Sequence, residues 1–160
     1  MKKNKKYLLI LPCSKKKKRL SIARAIELYN GPFYQIIRKN YEETIDVYIL
    51  SARYGLINSN EFISFYDQIM TTQRAEELSG IVKMDLEKIL QLKDYDEIFI
   101  NLGKKYMIAL EESKQLLDNY KVSWGFGQIG ERLHQLKNWL QIISNERVEN
   151  NELSRVASNY

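Results

Sequence analysis

The chain has 160 residues, 44% of them hydrophobic and 28% charged, with a net charge of +5 and a single cysteine. That length fits one domain, which can bury roughly 68–70% of its unfolded surface without a disulfide or a metal staple. One Cys excludes an internal disulfide and fits a reducing compartment, and no stretch approaches the ~18 apolar residues of a membrane span, so a soluble, cytoplasmic protein is expected.

The chain starts basic, and nine of its 25 Lys and Arg fall within the first 19 positions: Lys2, Lys3, Lys5, Lys6, Lys15, Lys16, Lys17, Lys18 and Arg19. Such clustering suits polyanions, although a merely solvated face has the same composition. Tyr7 to Leu11 is a continuous apolar run, too short for a signal-peptide core, and reads as a buried strand. Leu20 to Asn30 carries Ile22, Ile26 and Tyr29 at helical spacing, and Gly31-Pro32 ends it. Phe33 to Asn40 reads as a second short helix. Val47 to Leu50 is a second buried strand, followed by a loop that contains Phe65-Tyr66-Asp67-Gln68. Ala75, Leu78, Val82, Leu86 and Ile89 mark a long amphipathic helix with Thr71 or Thr72 as its N-cap. Glu97 to Leu102 is the third strand. Met107, Leu110 and Leu117 mark another helix. Ile129, Leu133, Leu136, Leu140 and Ile143 mark the last, opened by a Gly-rich turn.

Strands alternating with helices predict a single-domain α/β fold with a central, mainly parallel sheet flanked by helices. Residues 1–144 would form this catalytic domain. Residues 145–160 are polar and weakly patterned, and read as a tail that frays or docks on a partner.

In open α/β sheets, ligands bind beyond the carboxyl ends of the strands. The three segments found there are Pro12-Cys13-Ser14-Lys15-Lys16-Lys17, Ser51-Ala52-Arg53-Tyr54-Gly55-Leu56 and Asn101-Leu102-Gly103-Lys104-Lys105-Tyr106. Simple turns would not require a basic residue at each and Tyr at two of them, so their convergence is the strongest signal that pattern alone carries. A Ser or Cys triad is disfavoured, because the one histidine, His134, falls in the last helix. Cys13 reads as a small buried residue at a strand end, and Ser14 as a hydrogen-bond donor to substrate. One Cys and one His cannot build a zinc site, and no P-loop is present. Gly125, Gly127 and Gly130 spell Gly-x-Gly-x-x-Gly but stand too late in the chain for a dinucleotide site. They remain candidates for phosphate contact at a helix start, against a plain tight turn. No metal or cofactor is expected.

Asp67 stands beside aromatics near the expected cleft. Cleavage of an N-glycosidic bond develops positive charge on the sugar, which a carboxylate can stabilise while it orients water, and aromatic rings can stack on an extruded base. An isolated loop Asp is more often a cap or a salt-bridge partner.

The segments Pro12 to Lys17, Leu28-Tyr29-x-Gly31-x-Phe33, Ile49 to Ile57 and Tyr66-Asp67 resemble a prokaryotic and phage family with the signature CSKxK, LSAKYGLL and YD. That family is similar to the YaaA superfamily and to the PCS-containing domain of archaeosine synthase, and related in outline to the uracil-DNA glycosylase fold. The resemblance covers about the first 70 residues, with Gly103-x-x-Tyr106 and the Gly-rich helix start fitting more loosely. It implies a uracil-DNA-glycosylase-like domain. One member of the family is an anti-phage DNA glycosylase that removes glucosylated hydroxymethylcytosine, while others accompany deazaguanine modification of nucleic acids. Arg53 stands where Lys is commoner, which keeps the charge and changes the donor geometry.

The leading expectation is a DNA glycosylase acting in anti-phage defence, with DNA carrying modified bases as its partner. Asp67, Ser14, Lys17 and Arg53 are the candidate catalytic residues. Cys13, Lys15, Tyr29, Ser51, Tyr54, Gly55, Tyr66, Asn101, Gly103 and Tyr106 would line the substrate. Lys16, Lys18, Arg19, Lys104, Lys105, Gly127, Gly130 and Arg132 would meet nucleic acid. The alternatives are an enzyme of tRNA or deazapurine nucleosides, and a DNA-binding protein without activity.

Overall fold

A computed structural model describes residues 4–40 and 42–159, so Lys2 and Lys3 of the basic cluster lie outside the described residues. The elements in chain order are β1 (Tyr7–Pro12), β2 (Ile22–Arg24), α1 (Ala25–Leu28), α2 (Pro32–Lys39), β3 (Ile45–Ser51), β4 (Gly55–Asn58), β5 (Phe62–Ser64) and α3 (Thr72–Leu92). They continue with β6 (Glu97–Ile100), α4 (Lys104–Met107), a 3-10 segment (Ile108–Ser113), α5 (Lys114–Leu117), β7 (Val122–Trp124) and α6 (Ile129–Ser158).

The central sheet has the order β4-β3-β1-β6-β7. β1 lies parallel to both β3 and β6, and β6 parallel to β7; only β4 runs antiparallel, folded back on β3. The mainly parallel α/β expectation therefore holds. Every residue of β1 is buried, as a strand covered on both faces must be. Trp139 of α6 stacks on Phe99, with ring centroids 5.1 Å apart, and meets Tyr7 edge-on, so α6 covers one face. The apolar stripe of α3, from Ala75 through Leu78, Val82 and Leu86 to Ile89, is buried as its spacing predicts. Thr71 is its N-cap, accepting from the Arg74 N–H at 3.1 Å.

Four expectations need correction. Leu20 to Asn30 is not one helix: β2 pairs antiparallel with β5, and only Ala25–Leu28 is helical. The partner strand imposes period two, so Ala23 is buried while Ile22 is 66% exposed. The helix expected around Met107, Leu110 and Leu117 is broken into α4, the 3-10 segment and α5. The third strand ends at Ile100, which leaves Asn101 and Leu102 beyond the sheet. The expected tail is helical: α6 continues to Ser158, although residues 151–159 are all exposed.

The chain passes from β1 outward to β3 on one side and returns through α3 to β6 on the other. The direction of winding reverses at β1, which opens a crevice at its carboxyl end.

Candidate functional site

β1 runs out at Pro12, and Cys13 continues the ladder by donating its N–H to the Leu50 carbonyl at 3.0 Å. The Pro12 carbonyl accepts the hydroxyl of buried Tyr34. The next segment is pinned against the end of α1: Lys18 N–H donates to Leu28 O at 2.8 Å and Asn30 N–H to Lys16 O at 2.9 Å. Ser14 Oγ donates to Lys16 O at 2.8 Å, and a side chain at Gly31 would begin only 2.6 Å from Ser14 Oγ. Gly31 is thus required by close approach to the Ser14 turn.

This pinning swings Lys17 inward. Its ammonium lies 4.4 Å from the ring centroid of Tyr66 and 5.9 Å from that of Tyr29. Burial lowers the Lys17 ammonium below its usual range, and Cys13 and Asp67 offset part of that shift. Lys15, Lys16, Lys18 and Arg19 are exposed on the same segment.

Beneath Lys17 is a closed tyrosine network. Tyr66 and Tyr29 share a hydrogen bond between hydroxyls at 2.6 Å, and Tyr66 shares another with Ser51 Oγ at 2.9 Å. Ser51 Oγ also accepts the backbone N–H groups of Arg53 and Tyr54 at 3.2 and 3.1 Å. Burial pushes the Tyr29 phenol up to about 12 and that of Tyr66 higher, so both stay protonated. The expectation that Tyr29, Ser51 and Tyr66 line the substrate is corrected: all three are buried and their hydroxyls are engaged with one another. Tyr54 is only half-buried, packs edge-on against Tyr66 and carries the Arg53 guanidinium 5.6 Å from its centroid.

Arg74, a residue the sequence did not single out, fastens this rim. It donates from Nε to Ala52 O at 2.6 Å and from Nη2 to Arg53 O at 3.1 Å. Asp67 follows Tyr66 directly and is exposed. Among the described residues it makes no hydrogen bond and no ion pair, although its charge is felt at Lys17. It is neither a cap nor a salt-bridge partner.

On the other side of β1, Tyr106 places its hydroxyl 3.2 Å from both Sγ and the carbonyl of Cys13. Tyr106 also lines a cleft of about 250 Å³ with Pro12, Gly103, Lys104, Lys105 and Arg132. The Arg132 guanidinium carbon stands 5.6 Å from the Phe33 ring centroid. Cys13 thus separates two halves of the site, one around Lys17 and Asp67, the other around Arg132. A larger concavity, about 800 Å³, lies at the amino ends of the strands beside Tyr7, Glu42 and Glu146, away from every strand-end motif; chemistry, not volume, selects the smaller one.

Three further positions are corrected. Asn101 is fully buried and donates from Nδ2 to Arg132 O at 2.9 Å, so it ties β6 to α6 and does not line the opening. Gly55 has φ +76° in the turn into β4 and faces Leu78, Ile81 and Asp85 of α3. The Gly-rich helix start does not offer a free anion cradle: Glu131 Oε2 accepts the Gln128 N–H at 2.9 Å, and Gly127 has φ +83° against that same carboxylate. Gly130 lies exposed with nothing near it. The same turn presents Phe126, which the sequence did not mark. Its ring is 71% exposed, while Gln135 receives its N–H at 3.0 Å and donates to its carbonyl at 2.9 Å.

A family of unknown function, DUF6884, matches residues 8–138. No curated protein matches the chain. Among solved structures, the crystal structure of AF0587, a protein of unknown function, is similar with a TM-score of 0.52 at 14% identity. The match covers 85% of this chain and 44% of that one, so the chain spans less than half the length of its structural neighbour. A likeness at that identity speaks for the fold alone.

Proposed function

The chain belongs to DUF6884, a family of unknown function, and for it we propose an enzyme that hydrolyses the N-glycosidic bond of a modified base in DNA, on a uracil-DNA-glycosylase-like α/β domain, in defence against phage. One observation carries the reading: Asp67, exposed and free of any ion pair among the described residues, lies near enough to a partly desolvated Lys17 at the carboxyl end of the sheet for its charge to be felt there. Water attacks the anomeric carbon as the C–N bond breaks. Its electron pair leaves with the base, and Asp67 takes the proton of the attacking water. Lys17 donates a hydrogen bond to the departing base; the hydroxyl proton of Ser14, the other expected donor, is already committed to Lys16 O. Arg53 meets its adduct or a flanking phosphate, and Tyr54 offers the accessible ring. Lys15, Lys16, Lys18 and Arg19 hold the strand.

The test is incubation with DNAs carrying modified and unmodified bases, followed by alkali to reveal abasic sites. Asp67→Asn is expected to lower the rate by roughly 10²–10⁴-fold, the range of a lost general base. Intact DNA from every substrate tried overturns the reading. Parallel incubation with tRNA and nucleoside mass spectrometry tests the tRNA alternative.

Desolvation of the Lys17 ammonium supports a second route. A neutral amine attacks the anomeric carbon as the C–N bond to the base breaks and its electron pair leaves with the base; the amine nitrogen then passes a proton to the ring oxygen as the ring C–O bond breaks, giving the imine that precedes strand cleavage. Borohydride trapping of a covalent complex, absent in Lys17→Met, is the expected sign of that route.

A further inference from the structure

We infer that the cleft between Pro12, Gly103 and Arg132 is a phosphate-binding site whose central donor is the Arg132 guanidinium. It deepens the reading above and rests on it only for what carries the phosphate.

The cleft is lined by three cations, Arg132, Lys104 and Lys105, and by no carboxylate. Arg132 stands in the first turn of α6, and its backbone is held by Asn101. Its Nε and Nη1 are buried and have no hydrogen-bond partner among the described residues. Its Nη2 lies 3.3 Å from where a side chain at Gly103 would begin. The absence of a side chain at Gly103 therefore leaves the room in which the guanidinium sits.

Two of its three nitrogens are shielded from water without a partner, and proteins seldom leave a guanidinium so. Among the described residues no neighbour neutralises it. Phe33 offers only a ring face, and Tyr106 commits its hydroxyl to Cys13. The two lysines at the cleft add charge of the same sign. A ligand with two or more anionic oxygens completes the arrangement: a phosphoryl group matches the guanidinium fork and draws in both ammonium groups. The cleft adjoins the Cys13 turn, so a phosphate held there would lie next to the half of the site around Lys17 and Asp67. Two sources fit the chemistry, the terminal phosphate of a free nucleotide and a diester of a strand.

Calorimetric titration of the full chain with inorganic phosphate, a nucleoside 5′-monophosphate, its nucleoside and a short oligonucleotide tests this. The phosphate-bearing probes are expected to bind, with Arg132→Met weakening them roughly 10- to 100-fold and leaving the nucleoside unaffected. Tighter binding of the oligonucleotide than of the mononucleotide assigns a strand diester; the reverse assigns a free nucleotide. Gly103→Val, which keeps the guanidinium and fills the cleft, is expected to weaken the same probes and guards against misfolding of Arg132→Met. The inference is overturned if wild type binds none of the phosphate-bearing probes, or if either folded variant binds them like wild type. Phosphate binding without base excision leaves this inference standing and removes the reading above. Base excision with no phosphate binding does the opposite.

Discussion

Tyr66 has two hydroxyl partners, Tyr29 at 2.6 Å and Ser51 at 2.9 Å, and Lys17 rests over its ring. Tyr66→Phe keeps the ring and deletes the hydroxyl, so two buried groups lose a partner. The expected loss is about 1–3 kcal/mol, read as a lower urea midpoint at unchanged slope. The same network sets an alkaline limit. Burial raises Tyr29 from its usual 10 to about 12, and Tyr34, Tyr66 and Tyr106 are raised too. Above pH 10 the unfolded chain releases phenolic protons that the folded chain retains. Stability is therefore fully present below pH 10 and falls as pH rises toward about 12. Urea midpoints measured from pH 8 upward are expected to stay level and then drop across that window, less steeply in Tyr29→Phe.

At the scale of the element, the start of α6 is decided by two glycines with opposite roles. Gly127 takes φ +83°, and a side chain there would begin 1.5 Å from Glu131 Oε2, the acceptor of the Gln128 N–H. Gly130 has open space around it inside the first turn. Gly127→Ala is expected to cost about 1–3 kcal/mol through backbone strain and the displaced cap. Gly130→Ala is expected to add roughly 0.5–1 kcal/mol, because alanine has less chain entropy to lose in a helix. Thermal unfolding of the two single variants separates them by sign.

Over the whole molecule, the question is how much of α6 the fold needs. Tyr7 donates its hydroxyl to Glu146 at 2.7 Å, and Arg147 pairs with buried Glu42 at 3.3 Å. Residues 151–159 are exposed. Ending the chain after Asn151 is expected to change stability by no more than about 0.5 kcal/mol. Ending it after Ser144 strips both contacts, leaves the Glu42 carboxylate unpaired and is expected to cost roughly 1–5 kcal/mol. Urea unfolding of the two truncated chains checks the boundary.

What the sequence by itself determined were the features that local pattern controls. The continuous apolar runs at Tyr7 and Val47 became the buried parallel strands, Thr71 capped α3, and the strand ends carried Lys17, Arg53 and Tyr106 to one edge. Nothing local marked β2, β5 and β7 as strands: each has three residues, too few for a period to show, and the partner strand supplied the pairing. The same held for side-chain fate. Asn101 and Asp67 both read as polar residues near a cleft, yet one is buried against the Arg132 carbonyl and the other is exposed without a partner among the described residues. Arg74, Phe126 and the unpaired Arg132 guanidinium emerged only when helices distant in sequence were laid against the strand ends. Exposure and hydrogen-bond partnership are properties of the packed chain, and only the tertiary structure decides them.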